Sequence, residues 1–185
     1  CRNHPRPDEA QYPLWQGLPQ GETMPRTEIA ARVRECTGVG RTVAERTPEQ
    51  TARLRNILSV TGLEEDHLVA HLAWATNLFQ DLVWKRLGGR NPFDNMGRTY
   101  RGSDDDRALN QGVERFAADP DAVAALAYDG DLSGDIILPT VTIHARYDPT
   151  VFVEHSAMYA NTVGEAGRST LLVQTFTTET EHSRL

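Results

Sequence analysis

Hydrophobic residues recur at helical spacing through much of the N-terminal part of the chain. In the first such stretch Ile29, Val33 and Cys36 share one face of a predicted helix. Thr27 is expected to cap its start and Gly38 to end it. Residues 1–25 contain five prolines, a density that predicts an irregular segment or a linker.

A stronger helix start follows at residues 47–50. Thr47 can cap the helix, and Pro48 occupies a position where a missing N–H costs nothing. Gln50 can reach back to complete a capping box. This helix is predicted to run to about Val60 and to end at Thr61-Gly62.

The best helical pattern begins with three acidic residues, which suit the positive end of a helix dipole. It covers about 22 residues and ends at Gly88-Gly89. Two shorter helices are predicted at Arg107–Ala118 and Pro120–Tyr128, the second capped by Asp119. The apolar residues of the long amphipathic helix are Leu68, Leu72, Ala75, Phe79, Leu82 and Val83.

The periodicity changes after Gly134. DIILPTVTIHA and STLLVQTF predict two strands buried on both faces of a parallel sheet, and the segment FVEHSAMYANTVGEAG between them predicts a helix. The inward positions of that helix would be Val153, Ala157, Ala160 and Val163. Strand, helix and strand form one βαβ crossover, so the strands should be parallel. Two strands leave a sheet face and both edges uncovered, so we expect part of the sheet to lie outside this sequence.

Composition narrows the possible partners. The chain has 185 residues, of ordinary single-domain size, 39% of them hydrophobic, and a net charge of −7. The acidic balance argues against nucleic acid or an anionic membrane as the main partner. No apolar run approaches the roughly 20 residues of a membrane span, and the first residues lack the apolar core of a signal peptide. The absence of an initial Met indicates a processed or trimmed chain, or a piece of a longer protein.

The cysteines and histidines support no metal or cofactor site. Cys1 and Cys36 are expected either to form one disulfide or to remain free thiols. His67 and His71 stand four residues apart, a spacing that can bind a metal, but HLVAH lacks the glutamate of the zinc-protease pattern. We therefore interpret them as solvated or packing histidines. His155 is expected at the surface.

The candidate catalytic residues are Asp148 and His182. Each follows one of the two predicted strands, and catalytic groups of open parallel sheets lie at the carboxyl ends of strands. Adjacent strands are roughly 5 Å apart, so a hydrogen bond between the two side chains is expected. A carboxylate that fixes one ring nitrogen of a histidine is the acid–base half of a catalytic triad. His144 is interpreted either as a residue that supports this pair or as an ordinary strand-end histidine.

The segment LPTVTIHARYDPTVFVEHSAMYANTVGEAGRSTLLVQTFTTETEHSRL resembles the C-terminal part of an α/β-hydrolase, with the acid loop, helix, last strand and histidine loop in the family's order. NPFDNMGRTYRGSDDDRALNQGVERFAADPDA is similar to bacterial relatives with a helical insertion. The resemblance implies a partial α/β-hydrolase fold, with residues 1–134 as a proline-rich start and helical cap and residues 135–185 as the βαβ part of the core. It further implies a serine hydrolase that acts on a small ester or related acyl substrate without a cofactor.

The nucleophile elbow G-x-S-x-G of that family is absent from the sequence. Ser103 follows a glycine, but three aspartates follow it and no strand precedes it. The family's chain order places the serine N-terminal to Cys1, on a missing core segment or a partner chain. An N-terminal nucleophile at Cys1 is disfavoured, because such residues usually begin a buried strand.

A non-catalytic alternative stays open. The chain would then be a binding or assembly module, or an inactive hydrolase remnant, that pairs with a partner chain or with a second copy as a homo-oligomer.

Two further clusters have competing interpretations. Asp104, Asp105 and Asp106 are read as helix-start charges rather than calcium ligands. Five aromatic residues are expected either to line an apolar pocket or to pack between helices: Trp15, Trp74, Trp84, Phe79 and Phe93.

Overall fold

The computed structural model describes residues 12–180 and residue 182. Within these residues the protein is a mixed α/β chain, about half helical, with one two-stranded parallel sheet. It divides into two compact units, one up to Leu126 and one from Ala127, and the division falls inside a helix. The helices are α1 (Arg26–Thr37), α2 (Pro48–Thr61), α3 (Glu65–Gln80), α4 (Asp106–Gly112), α5 (Pro120–Gly130) and α6 (Glu154–Glu165), and the strands are β1 (Thr140–Ala145) and β2 (Leu172–Thr177).

The core of the first unit lies among α1, α2 and α3. Ile29 and Val33 are fully buried against Leu54 of α2 and Leu68 of α3. The predicted apolar face of α1 is confirmed, but the predicted cap is wrong. The helix begins at Arg26 after Pro25, whose fixed φ of −57° already suits the entry into a helix, so Thr27 lies inside the first turn.

The start of α2 follows the prediction closely. The Gln50 backbone N–H donates to Thr47 Oγ1 at 3.2 Å, and the Thr47 N–H donates to Gln50 Oε1 at 3.1 Å. Pro48 is the first helical residue, and Gly62 ends the helix in the left-handed conformation at φ 71°. The capping box and the glycine stop are therefore confirmed.

The long predicted helix consists of α3 and a π-helical continuation, Asp81–Arg86. Its C-terminal part is tied to the start of the described chain, because the Trp84 indole N–H donates to the Leu18 carbonyl at 2.9 Å. A short 3₁₀ turn, Leu14–Gln16, interrupts the predicted irregular start. No described helix combines the length and the apolar character needed to cross a membrane.

α4 is shorter than predicted. The sequence indicated a helix from Arg107 to Ala118, but α4 ends at Gly112. The residues beyond it bond to the preceding loop instead of continuing the helix. Phe116 exchanges hydrogen bonds with Asn95, which accepts from the Phe116 N–H at 2.9 Å and donates its own N–H to the Phe116 carbonyl at 3.0 Å. Asp119 caps α5 as predicted.

In the second unit β1 and β2 pair in parallel with Thr140 opposite Leu172 and Ala145 opposite Thr177. The predicted βαβ order and strand direction are confirmed. The first strand, however, begins five residues later than predicted. Pro139 has no N–H to donate to a ladder, and Gly134 approaches the α6 backbone closely at φ 71°, so the chain before residue 140 is irregular.

The prediction that both sheet faces are buried is wrong. On one face the Gln174 side chain donates to the Ser156 carbonyl of α6 at 2.9 Å. The other face exposes Val141 (67%), Ile143 (49%) and Val173 (57%). Helix α6 packs on one face of the sheet, and burial accordingly alternates from Thr140 to His144 in β1 and from Leu172 to Thr175 in β2.

The predicted inward face of α6 is confirmed only in part. Val163 is fully buried, and Val153 and Ala160 are half-buried. Ala157 is exposed, in contrast to the prediction. A narrow two-stranded sheet offers too little surface to cover the whole apolar stripe of the helix.

Candidate functional site

The ends of β1 and β2 bring two loops to the same edge of the sheet. Ala145 and Thr177 are register partners, and the Arg146 N–H extends the ladder by donating to the Thr177 carbonyl at 3.0 Å. Beyond this bond both chains leave the sheet at their carboxyl ends. The pairing therefore fixes the distance between the loops that carry the two predicted catalytic residues.

Asp148 is held by the backbone of its own loop. Its Oδ1 accepts from the Thr150 N–H at 2.7 Å and from the Val151 N–H at 2.9 Å. The intervening Pro149 has no N–H and presets the turn. The Asp148 side chain is only 6% exposed, so its orientation is set by these bonds. The two amide contacts were not predicted from the sequence, although Asp-Pro followed by a polar residue is typical of such a side-chain turn.

His182 completes the pair across 34 residues of sequence. Its Nδ1 lies 2.7 Å from Asp148 Oδ2, as the parallel arrangement predicted. The carboxylate can only accept, so Nδ1 carries the proton and Nε2 is left as the acceptor of the neutral ring. No described residue forms a hydrogen bond to Nε2. The ring is 48% exposed, which leaves this nitrogen able to reach a reacting group.

The environment of Asp148 favours its charged form. Burial alone would raise the pKa of the carboxyl, but it is outweighed by the hydrogen bonds from the Val151 N–H, from His182 and from the Thr150 N–H. The pKa of Asp148 is consequently lowered from its usual range. A carboxylate that stays ionised can both orient a histidine and stabilise its protonated form.

His144 supports the loop and not the pair itself. Its Nε2 lies 2.9 Å from the Val151 carbonyl, so the ring ties the end of β1 to the residue whose N–H binds Asp148. This contact links His144 to the loop that holds Asp148, and His144 forms no hydrogen bond to Asp148 or His182 among the described residues.

No described serine contacts the pair. Ser103 Oγ donates to Asp106 Oδ1 at 2.8 Å at the start of α4, so it serves a helix end. Ser156 lies within α6. Ser183 and Cys1 lie outside the described residues, as do the expectations that concern them. What the described residues assemble is an acid and a base, and a nucleophile is not among them.

Two of the other histidines, His67 and His71, lie near each other on α3. His67 and His71 have ring centroids 6.2 Å apart. His67 shares a cluster with Glu64 and Asp66, whose potential ligand atoms lie within 4.8 Å of one another. Both carboxylates are exposed, and the closest His67–Asp66 contact is 3.6 Å. His155 is exposed, as predicted.

The acidic run before α4 is used in local structure. Asp105 caps the helix by accepting from the Ala108 N–H at 2.9 Å, and Asp104 pairs with Arg55. Asp106 accepts from the backbone of Gly102 and Ser103. These bonds fit the interpretation of the run as helix-start charges.

The aromatic residues have different environments. Phe79 packs on Phe93 with centroids 4.7 Å apart, whereas Trp74 is 55% exposed. Trp15 and Trp84 are half-buried. The structure therefore assigns Phe79 to packing and places Trp74 at the surface.

Cys36 is buried in the core of the first unit and is not a free thiol. Arg53 Nη1 donates to its backbone carbonyl at 2.6 Å. The predicted choice between a bridge and a free thiol also concerns Cys1, which lies outside the described residues.

Three comparisons with known proteins leave the site to be interpreted on its geometry alone. No protein-family model matches the sequence, and the searches of curated proteins and of solved structures likewise found no match.

Proposed function

We propose that Asp148 and His182 are the acid and the base of a Ser-His-Asp triad in a serine hydrolase with an α/β-hydrolase-like fold. The substrate would be a small ester or a related acyl compound. The nucleophilic serine would lie on polypeptide outside this sequence. One observation carries the proposal: a 2.7 Å hydrogen bond joins a buried carboxylate to a half-exposed imidazole at adjacent carboxyl ends of parallel strands.

The chemistry assigned to this chain is proton transfer. Asp148 holds the proton on His182 Nδ1, so Nε2 accepts the serine proton as the hydroxyl oxygen attacks the acyl carbon. The ionised carboxylate stabilises the imidazolium that forms. His182 then gives the proton to the alkoxide that leaves as the ester C–O bond breaks. In the second half of the cycle His182 takes a proton from the attacking water and returns it to the serine oxygen as the acid product is released.

The test uses a fluorophosphonate probe, which labels only an activated serine. The protein is isolated from its source together with any polypeptide that is attached or bound to it. Labelling of the preparation supports the proposal if His182→Ala and Asp148→Asn each lower the labelling rate by about 10³–10⁴-fold. His155→Ala and Asp131→Asn are matched controls, because both native side chains belong to exposed residues of the same unit. Neither control should change the rate.

Two results would contradict the proposal. The 185-residue chain by itself should neither take up the probe nor hydrolyse nitrophenyl esters, so turnover by this chain alone would mean that the nucleophile is within it. Unchanged labelling in His182→Ala would remove the base from the mechanism.

A second candidate is a non-catalytic assembly module, and the exposed apolar sheet face favours it. Val141, Ile143 and Val173 lie on one side of a sheet whose two outer edges have no partner strand among the described residues. Light scattering after size-exclusion chromatography distinguishes the candidates. A stable dimer or complex that no fluorophosphonate labels favours the assembly module, whereas a serine-labelled companion favours the hydrolase.

A further inference from the structure

A cavity of about 570 Å³ lies in the first unit, between the loop that precedes α4 and α4 itself. Arg98, Arg101, Arg107 and Arg115 all line it. We call it the arginine cavity. Its volume is typical of sites that hold small metabolites. Four guanidinium groups line this one cavity, although the net charge of the chain is −7.

Arg115 builds the wall of the arginine cavity. Its Nη1 donates to the carbonyls of Asn95 at 2.8 Å and Arg98 at 2.6 Å, and its Nη2 donates to the Asn110 side chain at 3.2 Å. The guanidinium also lies over the Tyr100 ring, 5.4 Å from its centroid. One arginine thus fixes the loop to the segment after α4, and both of its terminal nitrogens donate to protein atoms.

The other three arginines have no such bonds. The guanidinium groups of Arg98, Arg101 and Arg107 donate no hydrogen bond to any described residue, and all three residues are exposed. Guanidinium groups stay protonated at every physiological pH. These three therefore supply positive charge and free donors on the exposed part of the lining.

Little negative charge opposes them within the arginine cavity. Asp106 is the one acidic residue of its lining, and its oxygens already accept from the Ser103 hydroxyl and from the backbone N–H groups of Ser103 and Gly102. The two adjacent carboxylates are engaged outside the lining, Asp104 with Arg55 and Asp105 with the α4 cap. The lining consequently carries a clear excess of positive charge.

We propose that the arginine cavity binds a small molecule with two or more oxyanion groups, either phosphates or carboxylates. The planar fork of arginine donates two parallel hydrogen bonds to such groups. This site is independent of the hydrolase proposal, because it lies in the other unit and needs neither Asp148 nor His182.

Isothermal titration calorimetry of the whole chain with pyrophosphate and with citrate tests the proposal. We expect saturable binding of at least one anion, weakened by added salt. Pyrophosphate binding without citrate binding would identify phosphate as the group, and the reverse would identify carboxylate. Arg98→Gln, Arg101→Gln and Arg107→Gln should each raise the Kd by about tenfold, since each removes one charge-assisted contact.

Arg86→Gln is the matched control, an exposed arginine outside the lining whose loss should leave the Kd unchanged. Circular dichroism of each variant confirms that it is folded; the exposed positions make unfolding unexpected. The proposal is overturned if neither anion binds at millimolar concentration, or if the Arg86 variant weakens binding as much as the cavity variants do.

Discussion

Replacing Asp148 by alanine should destabilise the second unit more than any exposed substitution in it, because one buried side chain serves three donors. Oδ1 holds the amides of Thr150 and Val151, and Oδ2 holds His182. Each lost backbone bond costs about 1 kcal/mol of unfolding free energy. The bond to a half-exposed ring adds about 0.5–1 kcal/mol, reduced by solvent screening. The total expected loss is about 2.5–3 kcal/mol.

Asparagine at position 148 separates these contributions. It keeps an oxygen at Oδ1 for the two amides, but its amide nitrogen at the Oδ2 position cannot accept the His182 proton. Asp148→Asn should therefore cost only about 1 kcal/mol, with the loop intact. A double-mutant cycle with His182→Ala should return a coupling energy of about 0.5–1 kcal/mol between the two side chains.

Urea unfolding followed by circular dichroism gives the free energies, and nitrogen-15 NMR of labelled histidine reports the proton on Nδ1. Asp131→Ala and His155→Ala are the controls, expected to change stability by less than about 0.5 kcal/mol. The reasoning is refuted if Asp148→Asn destabilises as much as Asp148→Ala. Strictly additive effects of Asp148 and His182 would refute it equally, because the pair would then not interact in solution.

Three further outcomes are expected. Because the pKa of Asp148 is lowered in the folded state, its charged form stabilises the protein fully above about pH 4. This contribution is lost as the pH falls through the lowered pKa. In acid titrations the Asp148→Asn variant should therefore lose stability less steeply in this pH range than the native protein. Gly134→Ala should lower the free energy of unfolding in urea by well over about 1 kcal/mol, since a Cβ would meet an α6 carbonyl oxygen at 2.2 Å. Gly167 has a similar φ but lies in open space, so Gly167→Ala should lower the free energy of unfolding by only about 1 kcal/mol. Thr47→Ala should lower the free energy of unfolding in urea by about 1 kcal/mol, because the helix cap is lost, while Thr27→Ala should leave the free energy of unfolding nearly unchanged.

Local signals in the sequence were sufficient where the chemistry is local. The capping box between Thr47 and Gln50 requires only residues three apart, and Gly62 ends the helix through its own backbone freedom. The apolar face of α1 follows from helical spacing alone. Such features are determined by neighbouring residues, so the sequence was enough to predict them.

Element ends that depend on distant partners were mispredicted. α4 stops early because Phe116 finds its hydrogen bonds in the loop at Asn95, a partner 21 residues away that no periodicity reveals. β1 starts late because Pro139 cannot join a ladder, although the hydrophobic run DIIL before it reads as a strand. The arginine cavity was missed for the same reason, since its members join a loop to a helix and form no motif.

The candidate site was predictable because the topology of the sheet brings together two residues that are far apart in the sequence. Two parallel strands joined by a crossover must end at one edge, so an acid after the first and a histidine after the second are neighbours whatever lies between them. The register of Ala145 with Thr177 meets this requirement. How the acid is aimed was not predicted, although the two amides that hold it belong to its own Asp-Pro turn, which is a local sequence signal.

In the proposed triad, the loop that holds Asp148 would orient the acid before the serine is brought to the site. Asp148 takes its orientation from Thr150 and Val151 in its own loop, with His144 bracing that loop, so the acid is set before any other segment arrives. His182 is half-exposed and takes its orientation from Asp148. An incoming serine would therefore meet a base whose proton already lies on the correct nitrogen. The entropic cost of orienting the acid and the base would then fall on the folding of this chain. The segment that brings the serine would need only to position its hydroxyl near Nε2 of His182.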